Sequence, residues 1–370
     1  MSVERRLRKI LVVLLRRILS SRRAVFLTHA DIRKIFVIRQ HNQLGDMLCV
    51  VPLLRALRSK FPTAEVSLLA SPVNADVMFN NPYLNDVIVY DKREMLGKIS
   101  LRVSKLLSFV RYLRSRRFDV VLVPSTVSTS FTSDLFAYLS GASVRIGASS
   151  IDGKDNPSGF FFNNAVTLDW RSTPHRHQTL RNLDIARELG AYTDDLTIEM
   201  SLTVQEREKG RAFVGKALGQ KAVGIGFHPG AGKAPNRWPA SRFADAANAL
   251  AREFDARVFV TFGQMDDVPV QEMLSRLTVG CEVIKFMPLR IVASILAHLQ
   301  LVITNDTGVM HVAAAVGVPV LSLFGPTDAE QWAPIGQEFR YLSGTGGNIG
   351  NIGVEEVLQK AREMLRPRVI

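Results

Sequence analysis

The sequence predicts an α/β protein made of two doubly wound units, each a mostly parallel sheet covered by helices. Three observations carry that prediction. Short apolar runs rich in Val, Ile and Phe alternate with longer segments of helical period. The alternation breaks in a polar stretch near mid-chain and then starts again. A chain of 370 residues, 47% apolar and 22% charged, is also long enough for two cores under a soluble surface.

Taken in order, KIFVIRQ at 34–40 predicts a first strand, a short polar loop and a helix beginning near Asp46. EVSLLA at 65–70, VIVY at 87–90 and DVVLVP at 119–124 predict further strands, with helical repeats over 47–59 and 101–117 between them. Residues 147–178, with SSIDGKDNPSG, paired Asn and RSTPHRHQ, have the composition of a loop. HQTLRNLDIARELG at 177–190 predicts a helix closed by Gly190, and the domain boundary is expected between 185 and 215. The second unit opens on AVGIGFHPG at 222–230 and continues with strands at 257–263, 282–286, 301–305 and 318–325. VEEVLQKAREML at 354–365 predicts a closing amphipathic helix.

Charge is uneven. The chain carries 47 basic and 34 acidic residues, a net +13, and residues 1–24 alone hold eight basic residues against one Glu. The longest apolar run there, ILVVLL at 10–15, is too short to span a bilayer and has no signal-peptide cleavage pattern behind it. A basic amphipathic helix lying on an anionic bilayer is one reading of this extension; a solvated or intramolecularly packed helix is the other. A second run, 101–117, has six basic residues and no acidic one. Such clusters favour an anionic partner, and without a repeated aromatic stacking pattern nucleic acid is not the expected one. Cys49 and Cys281, two isolated thiols, fit a reducing compartment and structural roles.

Several chemistries lack their motifs. There is no GxGxxG for a dinucleotide, no Walker A loop, no GxSxG and no ligand-like His/Cys spacing, so neither metal nor cofactor is expected. Three polar segments remain. In RQHNQLGDMLC, 39–49, Asp46 stands at a strand-to-helix turn: it either caps the helix, with Gly45 easing the turn, or faces a ligand and accepts a proton from a substrate hydroxyl. In HPGAGKAPNRWP, 228–239, glycines permit close backbone approach while Lys233 and Arg237 supply positive charge, Arg with a fork suited to phosphate. In ITNDTGVMHVAAAVGVPVLSLFGPTD, 303–328, Thr307 and Gly308 lie where free helix amides attract phosphate. Asp306 is better suited to capping, to orienting donors or to a ribose hydroxyl; His311 either packs as a buried helical histidine or orients the loop; Thr327 can donate from the next turn.

In order and spacing, IRQHNQLGDMLCVVPLLRAL at 38–57, HPGAGKAPNRWPASRF at 228–243 and the 303–328 segment resemble glycosyltransferase family 9, in particular bacterial lipopolysaccharide heptosyltransferases. The resemblance implies a GT-B architecture of two Rossmann-like domains facing a central cleft: a basic helical extension over 1–30, an acceptor domain over 31–195, a nucleotide-sugar donor domain over 196–350 and a C-terminal helix, 351–370, returning toward the first domain. It implies an inverting transfer of heptose from ADP-L-glycero-β-D-manno-heptose to a hydroxyl of the lipid A–core saccharide. In it Asp46 matches the catalytic base of LGD, and Arg237 precedes the WP pair as a donor phosphate contact. Asp306, Thr307, Gly308 and His311 match the donor-binding DTGxxH, with Lys233 and Thr327 as further donor-side residues. His177 falls where a family histidine opens a helix, and His41, Asn42 and Gln43 take the acceptor side. Partners would be a nucleotide sugar, a glycan acceptor and an anionic membrane surface at the cytoplasmic face. HNQ before LGD is bulkier than the usual serine-rich version, which leaves donor sugar and acceptor open: another nucleotide sugar or glycan acceptor is the enzymatic alternative, and a noncatalytic nucleotide or anionic-lipid binder the alternative of a different class.

Overall fold

The computed structural model describes residues 28, 31–40, 43–95, 99–263 and 265–366. The basic extension therefore lies outside the described residues, Thr28 excepted, as do His41 and Asn42. By contacts the chain divides into two compact units. The first holds the segments up to Asn42, Cys49–Ala75 and Pro82–Leu196; the second holds Gln43–Leu48, Asp76–Asn81 and everything from Thr197.

The first unit is a seven-stranded sheet. Its strands are β1 (Lys34–Ile38), β2 (Glu65–Ala70), β3 (Asp86–Val89), β4 (Val120–Leu122), β5 (Val144–Ile151), β6 (Lys154–Asp155) and β7 (Asn164–Leu168). They run in the order β3-β2-β1-β4-β5-β6, with β7 also on β5. All pairings are parallel except β5 with β6. The central strands read as continuous apolar runs because both faces are covered: Ile35, Phe36, Val37 and Ile38 are all buried. Phe36 stacks on Phe118 at 4.4 Å, and Phe136, Leu113 and Phe162 close the same core. Helices here are α2 (Val51–Lys60), α3 (Ile99–Ser115), α4 (Phe131–Leu139) and α5 (Gln178–Ala186). Between β1 and α2 the chain makes α1 (Leu44–Leu48), which clusters with the second unit.

Two readings need correction here. The helix expected over 47–59 is broken at Cys49–Val50, because Pro52 sits in the first turn of α2, where its missing amide is harmless but where it cannot continue a preceding helix. The segment 147–178, expected as loop, contains most of β5 and all of β6 and β7. Gly153, at φ 76°, does make a turn, between β5 and β6, but Gly147 serves the strand: a Cβ there would lie 2.1 Å from the Phe162 ring, so β5 needs glycine for close packing. Gly190, at φ 64°, does end the α5 region as expected.

The second unit is a six-stranded, all-parallel sheet of β8 (Val223–His228), β9 (Ala256–Phe262), β10 (Cys281–Lys285), β11 (Leu301–Asn305), β12 (Val320–Phe324) and β13 (Phe339–Ser343). Its order is β10-β9-β8-β11-β12-β13, so the winding reverses between β8 and β11. The helices are α6 (Val204–Leu218), α7 (Ala240–Glu253), α8 (Asp267–Arg276), α9 (Leu289–Leu296), α10 (Gly308–Ala315), α11 (Ala329–Trp332) and α12 (Val354–Leu365). Thr203 and Glu206 form a capping box that starts α6. Glu206 also takes two hydrogen bonds from Arg290, at 2.6 and 2.8 Å, while Arg290 donates to the carbonyls of Asp76, Phe79 and Ser201 and so pins Asp76–Asn81 within this unit. The apolar face of α12, which the resemblance assigns to a return toward the first domain, is buried in the second unit's own core through Val357, Leu358, Ala361 and Leu365. Among the described residues no helix is long and apolar enough to cross a membrane.

Candidate functional site

Where the winding of the second sheet reverses, the loops leaving β8, β11 and β12 come together at the carboxyl ends of the strands, the place where such sheets bind ligands. Three side chains knit these loops. Asn305, buried at the end of β11, donates to the carbonyls of Pro229 and Gly230 at 2.9 and 3.1 Å and accepts from the Trp238 amide at 3.0 Å. Trp238 in turn donates through Nε1 to the Ile352 carbonyl at 3.0 Å and packs edge-on against Phe243. Asn236 donates to Asp306 Oδ2 at 3.0 Å and to Thr327 Oγ1 at 3.1 Å, so a residue of the first loop holds both others.

This fixes the expected donor-side residues on neighbouring loops. Arg237 is half-buried, and its Nε bond of 2.9 Å to the Ala231 carbonyl sets the direction of the guanidinium. Lys233 is exposed on the same loop. Asp306 does not cap α10: that position belongs to Thr307, whose side chain makes no capping bond, and the Asp306 carboxylate is turned to Asn236. Burial pushes the Asp306 carboxyl above the usual aspartate range, with hydrogen bonding from Thr327 and the charge of Lys233 pulling the other way. With no side chain closing the first turn of α10, its leading amides and the positive end of the helix dipole are presented by Thr307 and Gly308.

Asp46 is not the helix cap either; it is the third residue of α1 and is buried. A carboxylate there still favours the helix start electrostatically. Gly45 is not a turn glycine, since its φ is not positive. Its reason is contact: a Cβ would fall 2.4 Å from His311 Cδ2 and 2.7 Å from Nε2. His311 is buried, with Trp332 edge-to-face at 6.3 Å. Gln43, just before α1, is exposed. In the first unit His177 caps α5, accepting the Thr179 amide on Nδ1 at 3.2 Å.

Residues that sequence reasoning missed complete the picture. His228 Nδ1 lies 2.8 Å from Thr261 Oγ1, and Nε2 lies 4.0 Å from Asp266 Oδ2. Burial pulls the basicity of His228 down, with Asp266 opposing. These side chains, with Phe286, Met287 and Val309 of α10, line a cavity of about 270 Å³ at the ends of β8, β9 and β10. Asn305 and Asn236 carried one signal in the sequence, their places beside DTG and RWP; His228 and Asp266 carried none. A cavity of about 320 Å³ in the first unit is lined by Trp170, Arg176 and Asp184, whose polar groups already satisfy one another at 2.6–2.8 Å.

The model of glycosyltransferase family 9 (heptosyltransferase) matches residues 106–361. Lipopolysaccharide heptosyltransferase 2 of Escherichia coli K12 is 26% identical over 319 residues, covering 84% of this chain and 87% of that protein. Lipopolysaccharide heptosyltransferase 3 of Escherichia coli is 25% identical over 305 residues, with 78% and 83% covered. Among solved structures, a family 9 glycosyl transferase from Veillonella parvula superposes with a TM-score of 0.79 at 23% identity, covering 93% of this chain and 99% of that one. The ADP-heptose lps heptosyltransferase II of E. coli gives 0.74 at 22%, with 91% and 100% covered. The last two likenesses speak for the fold, two helix-flanked sheets consistent with GT-B.

Proposed function

This chain belongs to glycosyltransferase family 9, and from that premise we propose that it transfers L-glycero-D-manno-heptose from ADP-heptose to a hydroxyl of the lipid A–core saccharide, with inversion. A glycosyltransferase related to the ADP-heptose enzymes has to supply three things: a base for the acceptor hydroxyl, positive charge for the departing diphosphate, and a pocket that orients the nucleotide. Asp46 takes the acceptor proton as the hydroxyl oxygen attacks the anomeric carbon and the bond to ADP breaks. Charge gathering on the diphosphate is met by Arg237 and the Thr307 and Gly308 amides, with Lys233 and Thr327 alongside. Asp306, held by Asn236, orders that cradle. The adenine takes the cavity behind His228, which Val309 connects to the first turn of α10.

One observation carries this reading. The helix bearing Asp46 is seated on α10, whose first turn presents the amides for phosphate, so base and phosphate cradle share a packed contact within one unit. On sequence alone, acceptor contacts are assigned to His41, Asn42, Gln43 and His177. The basic extension 1–30 and α3, which exposes Val103, Leu107 and Tyr112 among its basic residues, would rest on the anionic cytoplasmic face of the membrane that holds the acceptor.

The test is a matrix of nucleotide sugars against lipid A–core acceptors, read by product mass. Addition of a heptosyl mass from ADP-heptose alone supports the proposal. Addition of a different sugar moves the assignment to another transferase of the same family, and donor binding with no transfer to any acceptor moves it to a noncatalytic binder.

A further inference from the structure

We propose that His311 is a positioning residue for Asp46, acting through Gly45: the imidazole is the seat on which the LGD turn rests, so that the helix of the donor cradle also sets where the base stands. The proposal deepens the reading above and rests on Asp46 as the base.

The geometry is reciprocal. Gly45 of α1 faces His311 of α10, and Gly308 of α10 faces Leu44 of α1, where an added Cβ would fall 3.1 to 3.2 Å from the Leu44 side chain. Each helix thus offers a glycine to a side chain of the other. The Leu44 contact needs a shift of only a few tenths of an ångström. The Gly45 contact is not of that kind, because 2.4 Å is closer than Cβ atoms come to anything and the ring behind it is buried, with Trp332 edge-on at 6.3 Å. The backbone conformation of Gly45 is open to any residue, so contact with the ring is what excludes a side chain there.

Asp46 follows Gly45 directly, and α1 is only five residues long. A helix that short has little internal hydrogen bonding to fix its place, so its position follows from what it is packed on. A shift of Gly45 off the ring carries Asp46 with it, and displacement of a catalytic group by about 1 Å costs about 100-fold in rate. This gives a physical reason for LGD and DTGxxH to occur together: one supplies the missing Cβ and the other the ring that fills its space.

The experiment measures kcat with ADP-heptose and a competent acceptor, and ADP affinity by calorimetry, for G45A, H311A, the double variant, H311F and D46N. G45A is expected to lose about 100-fold in kcat, and H311A about 10-fold, each with ADP affinity within about threefold of the parent. The double variant, in which the new methyl enters the space the ring has left, should be at least about tenfold faster than the product of the two single effects. H311F, which keeps a ring under Gly45 and removes the nitrogens, should stay within about tenfold of the parent and above H311A. Multiplicative single effects, a loss seen in ADP affinity instead of kcat, or H311F as slow as H311A would overturn the proposal. Should G45A not fold, the H311F and H311A pair decides by the same criterion. D46N separates the two readings: parental turnover in D46N removes Asp46 as base, whereas an inactive D46N beside multiplicative single effects removes only the seat.

Discussion

Asn236 is the smallest perturbation with the largest expected consequence for the donor cradle. Replacing it by Ala removes the amide that donates 3.0 Å to Asp306 and 3.1 Å to Thr327, and with it the tie between the loops after β8, β11 and β12. A hydrogen bond to a charged acceptor contributes about 1.5–3 kcal/mol and one to a hydroxyl about 0.5–1.5, so an intact response would be about 2–4.5 kcal/mol. Thr327 is half-exposed and water can replace part of its bond, which brings the expected loss to about 2–3 kcal/mol. Because Asp306 is already pushed up by burial, losing a donor makes its ionised form less favourable still. Wild type and N236A would be compared by urea unfolding followed through tryptophan fluorescence in a W170F background, which leaves Trp238 and Trp332 of the second unit as reporters, and by calorimetric titration with ADP. The expected outcome is a lower unfolding midpoint together with ADP affinity weakened about tenfold or more. A variant with parental midpoint and parental ADP affinity would refute the claim that Asn236 organises the cradle.

Other outcomes follow from the same structure. Arg290 holds the Glu206 carboxyl down from 4.5 to about 2. A carboxylate with a depressed folded value contributes stability that is present above its unfolded value and lost as pH falls through the folded one; R290A should therefore cost about 2 kcal/mol near neutrality, and the gap from wild type should narrow between pH 4.5 and 2 in acid unfolding curves, down to the part that the carbonyl bonds of Arg290 contribute at any pH. G147A pushes a methyl into the Phe162 ring and should destabilise the first unit by about 1–3 kcal/mol, seen as a lower thermal midpoint, with ADP affinity unchanged. R237K keeps the charge but loses the fork and the Nε bond to Ala231, so the donor KM should rise about tenfold while stability falls by no more than the roughly 0.5–1.5 kcal/mol of that one bond, read as a small drop in thermal midpoint.

Much of the fold was legible because parallel sheets bury both faces of their strands. β2, β11 and α12 fall where apolar runs and helical period put them, and β1, β8, β9 and β10 lie within a residue or two of the expected ranges. The strands that went unread sit toward the sheet margins: β13 has no buried residue, only exposed and half-buried ones, β7 opens on Asn, and β5 carries Gly and Ser where a ring from elsewhere packs close. The site was legible in its motifs but not in its construction. A Gly-Asp pair at a strand-to-helix turn is locally indistinguishable from a cap, and only the His311 ring, 266 positions away in the chain from Gly45, explains the glycine. Asn236 and Asn305 look like ordinary loop polars until the carbonyls and carboxylate they hold are seen. His228 reads as part of a glycine-rich turn, although its side chain is buried against Thr261.

The central claim is that Asp46 removes the acceptor proton in an inverting glycosyl transfer. Its most direct test is the product of ADP-heptose and lipid A–core acceptor made by wild type and by D46N, with the product mass and anomeric configuration determined alongside ADP affinity. The account predicts one added heptosyl group of inverted configuration from the wild type, and a D46N variant that binds ADP normally but transfers about 100- to 10,000-fold more slowly. Retained anomeric configuration, or a D46N variant transferring at the parental rate, would contradict it.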